Sequence, residues 1–361
     1  MLSSVPRCSG TPSTSSSHLG RETGIPEVLY LLTPHANRWH RISISIARGS
    51  ADDIYAPFSS VAAPALIHLS LRIGRCDDDD DSPRTEYPDT CPPIITRGSP
   101  ALTFVRVAGK VVGNLTPPLS AVKTFHVDAW PKNLMTLSQF RAMLEALPCL
   151  VHLSLTGLSI HLPRNPLDIS EPVPLPSLRS LRIRGNSVPC HRLLSLLTLP
   201  ALESLSLHNV DTFDSAVIPT VKSLTLEACD FTESELRNMF RSFPDISTLN
   251  IDASVPRIYP MLRPDAGQDP PWPQLRSIYL RQLPPADVVP FCLLVLGRVG
   301  TDAAVSSVYL DKRSRSVLNA KDFMEILRDQ LLVGNCDYLP QWPADLGYED
   351  PDDDWDWDYM R

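Results

Sequence analysis

The constraint on this chain is an eight-residue sentence that it writes again and again. PSLRSLRI begins at Pro176, PALESLSL at Pro200, PTVKSLTL at Pro219, and PCLVHLSL stands earlier, at Pro148. The pattern generalises to P-x-L-x-x-L-x-L, with Val, Ile or Phe admitted at the Leu positions. It starts at Pro64, Pro100, Pro148, Pro176, Pro200, Pro219, Pro244 and Pro273. Copies without the proline are WHRISI at Trp39, VKTFHV at Val122 and VSSVYL at Val305, which makes eleven units. The last two apolar residues of each unit are two apart, the period at which a strand places side chains on one face. One such strand cannot bury that face alone. Stacking the strands in parallel builds a continuous core, so the sentence has to recur.

The first apolar positions run from Trp39 to Val305 in ten steps with a mean of 26.6 residues. That spacing falls within the period of leucine-rich repeats, about 20–29 residues. The segments between strands carry helix signals. In TLSQFRAMLEALP, Thr136 and Gln139 stand at capping-box spacing ahead of the stripe Leu137, Phe140, Leu144 and Leu147. TESELRNMFRSFP repeats the device with Thr232, Glu235 and the stripe Leu236, Met239, Phe240 and Phe243. HRLLSLLTLP, from His191, is a shorter case. The proline is expected to end each helix and to open the next strand, where its missing N–H costs least. The predicted fold is an α/β leucine-rich-repeat solenoid, a horseshoe of the ribonuclease-inhibitor type. Parallel strands line its concave face, and helices and loops cover the convex one.

Three regions follow. Residues 1–24 are rich in Ser, Thr, Gly and Pro and read as disordered, 25–333 as the repeat array, and 334–361 as an acidic, Trp-containing mobile tail. The array includes an acidic insertion at 74–99, and NAKDFMEILRDQLLV (319–333) is expected to be a helix closing its last strand. The net charge of −8 is local. Asp77–Asp81 and the last seventeen residues hold thirteen of the 41 acids, and without them and Arg361 the body carries 28 acids and 32 bases. A near-neutral body argues against nucleic-acid binding. None of the eight cysteines forms a C-x-x-C pair, so free thiols in a reducing compartment are expected. No signal peptide or membrane span is read, which points to a cytoplasmic or nuclear protein.

The eleven units resemble the leucine-rich domain of F-box-type proteins, which are numerous in mushroom-forming fungi, and LLTPHANRWHRISISI resembles the lead-in to their first strand. The resemblance covers roughly residues 25–333. It implies a substrate-recognition subunit, or a remnant of one, of a ubiquitin ligase of the SCF type. In that family a three-helix F-box docks on a Skp1-type adaptor. No F-box pattern is read in residues 1–24, so that partner is implied only if an F-box lies outside this chain.

No motif for phosphate binding, zinc hydrolysis or a nucleophile elbow occurs, and neither an enzyme, a cofactor nor a metal is expected. From Asp77 and Asp78 the EF-hand positions 6 and 12 are not Gly and Glu. The nine histidines are read as surface or half-buried imidazoles. The informative surface is the outward row of strand residues: Ser43, Ser70, Arg106, His126, Ser154, Arg182, Ser206, Thr225, Asn250, Tyr279 and Tyr309. A second row adds Arg184, His208, Glu227, Asp252 and Arg281, among others. Tyr and Arg dominate interface hot spots. Tyr279, Arg281 and Tyr309 are therefore the first candidates for a protein-binding site, joined by Arg106, Arg182 and Arg184. The expected function is a protein–protein interaction module. The other reading is a repeat-type regulator of another enzyme, such as a small-GTPase activator or inhibitor. In the tail, Asp alternates with Trp355, Trp357 and Tyr359; a solvated tail is one reading, docking on Arg182 and Arg184 the other.

Overall fold

A computed structural model describes residues 25–46, 51–74, 92–109, 111–129, 134–157, 159–161, 172–185, 190–214, 217–252, 255, 257–263, 270–336 and 342. Its strands are β1 (Arg41–Ile46), β2 (His68–Ile73), β3 (Phe104–Gly109), β4 (Thr124–Asp128), β5 (Leu134–Thr136), β6 (His152–Thr156), β7 (Ser159–His161), β8 (Val173–Pro174), β9 (Ser180–Arg184), β10 (Leu197–Thr198), β11 (Ser204–His208), β12 (Ser223–Glu227), β13 (Thr248–Ile251), β14 (Ser277–Leu280), β15 (Ser307–Leu310) and β16 (Leu332–Asn335). Among the described residues there are nine α-helices: α1 (Ile25–Leu32), α2 (Asp52–Phe58), α3 (Leu137–Glu145), α4 (Cys190–Ser195), α5 (Glu233–Ser242), α6 (Ile258–Leu262), α7 (Val288–Arg298), α8 (Lys312–Asn319) and α9 (Phe323–Gln330). None is long and apolar enough to cross a membrane.

Twelve strands form one parallel sheet in the order β1-β2-β3-β4-β6-β9-β11-β12-β13-β14-β15-β16. Each sheet strand therefore pairs with the next along the chain, and every one of the eleven sequence units supplies one. The missing numbers sit in two small sheets, β5 with β7 and β8 with β10, built within the connections. The register keeps equivalent positions opposite one another. Leu181, Leu205, Leu224, Leu249, Ile278 and Val308 form one inward row across β9 to β15. All are fully buried, and they belong to the same core as Leu236 and Met239 of α5 and Phe291 of α7.

The proline plays a different part from the one expected. Leu202 donates its N–H to the carbonyl of Leu199, and the same i to i−3 bond closes at Leu66, Leu102, Leu150, Leu178, Val221 and Leu275. In each, the proline is the second of the four turn residues, where its fixed φ is preset for a β-turn. The strand begins only four residues later, as from Pro200 to Ser204. So the conserved-looking Pro-x-Leu directs the chain into the sheet, and the Leu plugs the core beneath the turn.

Strands leave by a second recurring device. The residue two beyond the last inward position has positive φ at Gly109, Gly157, Gly185, Asn209, Ala228 and Gln282. This left-handed residue turns the chain out of the sheet. Gly and Asn take that conformation cheaply; Ala228 does not, and there the Asp252 carboxylate accepts from its N–H at 3.1 Å.

Both expected capping boxes are present. Thr136 accepts from the Gln139 N–H while the Gln139 side chain accepts from the Thr136 N–H, and Thr232 and Glu235 do the same. The closing helix expected over 319–333 is instead the end of α8, then α9, then β16. Leu332 and Val333 pair with Ser307 and Val308, so the sheet gains a twelfth strand that follows no repeat sentence. In the same region Arg298, fully buried at the end of α7, donates to the carbonyls of Leu262, Pro271 and Trp272. Burial, with Arg276 nearby, pulls its pKa down to about 10.

Candidate functional site

The first outward row read from the sequence is in register across the sheet, and the second is in register from Ser45 to Glu227. Ser43 lies opposite Ser70, Ser70 opposite Arg106, Arg106 opposite His126, and the row continues through Ser154, Arg182, Ser206, Thr225, Asn250, Tyr279 and Tyr309 to Gly334. The face it forms is of two kinds.

From β11 to β14 inward and outward residues alternate between buried and half-buried, as a strand with one open face should. Tyr279 and Tyr309 are stacked here, with ring centroids 4.3 Å apart and planes 10° from parallel. Strand spacing sets that contact, since parallel neighbours lie about 4.8 Å apart. The Tyr309 ring leans over β16, where the opposing residue is Gly334. A Cβ at Gly334 would stand 2.5 Å from the ring, so only glycine leaves the ring that seat. Arg281 stands two residues beyond Tyr279 and makes its ion pair away from the rings. Its guanidinium lies 4.0 Å from Glu227, which also accepts from His208 at 3.0 Å. Burial pushes the Glu227 carboxyl up. The hydrogen bond and charge of His208, with Arg281 and Arg184, outweigh it and hold the carboxyl below its usual range.

From β2 to β9 the same face is closed. All five residues of β4 and of β6 are buried. Arg106 and Arg182, expected as outward binding residues, are each 3% exposed, and only Arg184 is half-buried. They are therefore not joined to the tyrosines: four strand steps separate Arg182 from Tyr279, roughly 20 Å at the usual spacing. Arg106 donates to Asp128 at 2.6 Å, diagonally across the β3–β4 pair. Arg182 donates to Ser154 at 2.9 Å and reaches past it to His126, whose Nδ1 is 3.4 Å from Nη2. A guanidinium has no acceptor, so Nδ1 accepts and the His126 proton sits on Nε2. Burial, then the charges of Arg182, Arg106 and Arg184, hold His126 well below its ordinary pKa, and it is neutral.

Of the histidines expected to be surface or half-buried groups, His35 and His40 are exposed and His191 and His208 half-buried, but three on the sheet are buried. His68 and His126 are 2% and 0% exposed, and His152 is at the limit of burial. His68 stacks on Phe104 at 4.2 Å, and Phe104 meets His126 at 5.0 Å. The next ring in this series comes from far along the chain. Trp342 lies edge-on to His126 at 5.3 Å and to His152 at 6.1 Å, and the Arg182 guanidinium sits 4.5 Å from its ring centre. The segment read as a mobile tail thus places an indole on the middle of the sheet. One signal pointed to it: QWP, a tryptophan followed by proline, is a poor match to a purely solubilising tail. Trp355, Trp357 and Tyr359, on which the docking idea rested, lie outside the described residues, as do residues 1–24 and Asp77–Asp81. Among the described residues no group of three His, Cys, Asp or Glu side chains is placed to hold a metal ion. Cys190, Cys229 and Cys292 form no disulfide, and burial pushes their thiols up to about 12.

Comparison with protein-family models gives no match, and comparison with curated proteins gives none.

Proposed function

We propose that this chain is a leucine-rich-repeat solenoid whose outer sheet face binds another protein. The observation that carries the reading is the open half of that face. An ordered Tyr279–Tyr309 stack stands there beside Arg281, presented by consecutive strands of a rigid parallel sheet. Rigid aromatics next to a partly exposed arginine are the composition of an interface hot spot. The sheet supports the repeat reading because each sequence unit contributes one strand and neighbouring strands pair in chain order. On the resemblance to F-box-type proteins, the bound protein is a ligase substrate, and a Skp1-type adaptor binds only through an F-box beyond this sequence.

The test compares partner capture by the wild-type chain and by the Tyr279→Ala, Tyr309→Ala double variant, with bound proteins identified by mass spectrometry. Loss of one specific protein from the variant, at unchanged thermal stability, is the expected result. Identical capture moves the site off these tyrosines. A captured small GTPase would replace the ligase reading by that of an enzyme regulator.

A further inference from the structure

Strand β16 ends the sheet, and its outer edge is unfinished. Leu332 donates its N–H to the carbonyl of Ser306, and Cys336 donates to that of Leu310, both toward β15. Successive residues of a strand turn their main-chain groups to opposite sides. Leu332, Gly334 and Cys336 therefore look to β15, and Val333 and Asn335 turn their N–H and C=O groups the other way. No strand follows β16 in the sheet. Two donors and two acceptors thus stand there without a strand partner among the described residues. Proteins blunt such an edge with lysine, proline or a covering segment; LVGN contains neither lysine nor proline.

The side chains beside these groups say what kind of strand would fit. Gly334 carries none, and the Tyr309 ring reaches over it. The Tyr279–Tyr309 stack therefore runs up to the edge of the sheet. Leu332, which pairs with Ser307 and so shares the outer face, is 63% exposed. On an added strand, the side chain opposite Gly334 would leave that same face. Because the Tyr309 ring already reaches over β16, a flat ring on the added strand would lie one strand spacing from it, about 4.8 Å. That is the relation that stacks Tyr309 on Tyr279. The carboxyl end of the edge is basic. Leu310 pairs with Asn335, and α8 opens two residues later with Lys312 and Arg313. Both are exposed and make no ion pair among the described residues. The one carboxylate between them and β15, that of Asp311, accepts from Ser314 as the cap of α8.

We propose that β16 is a docking edge for an extended segment of a partner protein, which joins the sheet as a thirteenth strand. The segment presents an aromatic side chain opposite Gly334 and an acidic one at the end beside Lys312 and Arg313. Only another backbone offers N–H and C=O groups at strand spacing, so main-chain pairing fixes the class of partner. The aromatic and the acid then select among such segments, as side-chain contacts do wherever a strand is added to a sheet. This rests on the reading of the outer face as a protein-binding surface, and names the mode by which it binds.

The experiment needs no knowledge of the natural partner. The probe is a phage-displayed library of random twelve-residue peptides, selected on the full-length wild type. Selected peptides are then made as fluorescein conjugates and titrated by anisotropy into full-length wild type, Val333→Pro and Val333→Thr. Proline removes the outward N–H and leaves those of Leu332 and Gly334 on β15; threonine keeps it. The expected result is selected sequences that share an aromatic and an acidic residue, with affinity at least ten-fold weaker for Val333→Pro and unchanged for Val333→Thr. A selection without binders, sequences with no aromatic in common, or equal affinity for the proline variant and the wild type would overturn the proposal. A measurement on the wild type guards against a misfolded variant. In amide exchange followed by NMR, Val333 and Asn335 should exchange faster than Gly334 in the free protein, and slow at least ten-fold when a selected peptide binds. Slow exchange at Val333 and Asn335 in the free protein, whether conferred by residues 337–361 or by a second copy of the chain, also overturns it, as does exchange that the peptide leaves unaltered. Partner capture unchanged by the tyrosine replacements, with the edge amides protected by peptide, would strike the Tyr279–Tyr309 hot spot alone. Capture lost on those replacements, with the edge amides unprotected, would strike the docking edge alone.

Discussion

Strands β6 and β11 are near-copies in sequence, HLSLT against SLSLH, yet they live in different surroundings. In β11 burial alternates, with Leu205 and Leu207 inside and Ser204, Ser206 and His208 half-exposed. In β6 all five residues are buried. The core face is the same in both. The difference lies on the outer face, where β6 has Arg182 laid across it and Trp342 above, and β11 is open. A strand sentence thus states which residues share a face, and leaves unstated whether that face meets water.

Four experiments break or sharpen this contrast. The largest effect should be the one the halves share. Leu155→Ala in β6 and Leu207→Ala in β11 both empty a fully packed site and should each cost about 2–5 kcal/mol in urea melts. A value near zero for one alone would mean that the core is not continuous.

Ion pairs should then separate the halves. Asp128→Ala removes the partner of a guanidinium that is 4% exposed, and should cost about 3–5 kcal/mol. Arg281→Ala breaks a longer contact in the open half, where the arginine side chain is 28% exposed, and should cost under about 1 kcal/mol. Equal costs would deny the difference in burial.

Acid should act on the closed half first. His126 is held well below 6.5 in the fold and returns to about that value on unfolding. The unfolded chain therefore takes up a proton below pH 6.5 that the folded chain refuses. Stability is full above that pH and falls beneath it, by up to about 1.4 kcal/mol per pH unit until the folded value is reached. Urea midpoints at pH 7, 6 and 5 should decline less steeply in His126→Gln than in wild type. Parallel slopes would show that His126 does not resist protonation. Glu227, held below its usual range, contributes only at lower pH, beneath the ordinary carboxyl value of 4.5.

The smallest effects should lie on the two serines of one row. Ser154→Ala removes the hydroxyl that accepts from buried Arg182 and should cost about 1–3 kcal/mol. Ser206→Ala, two strands along the same register, should change stability by less than about 0.5 kcal/mol. Reversed magnitudes would mean that the open and closed halves have been interchanged.

Much of the architecture was legible because it is written in local spacing. Two apolar residues two apart fixed the strand faces, and all eleven predicted strands and the first outward row lie where the spacing puts them. Thr136 with Gln139 and Thr232 with Glu235 marked helix starts because a capping box closes within four residues. The turn role of the prolines was less visible, since a proline entering a strand and a proline at the second position of a turn look alike until the i to i−3 bond is seen. The exit residues were hidden because Gly157, Asn209 and Gln282 share a backbone conformation and no side-chain type. Strand β16 was hidden because LVGN has no repeat sentence; it joins the sheet by following α9 against an already formed edge.

The candidate site divides the same way. Tyr279 beside Tyr309 follows from register alone, since parallel pairing must bring equivalent positions of neighbouring strands together. That Arg281 turns to Glu227 and that Arg182 reaches His126 across β6 depend on side chains two strands apart, and that Gly334 leaves room for the Tyr309 ring depends on β16, a strand no repeat sentence announces. By itself the sequence determined which residues face the core, which face outward and in what order, because alternation at period two is a property of each short stretch of backbone. Only the tertiary structure decided that half of the outer face is closed, with Trp342 seated on it. That closure depends on a residue 190 positions from His152, and no local periodicity carries information over such a separation.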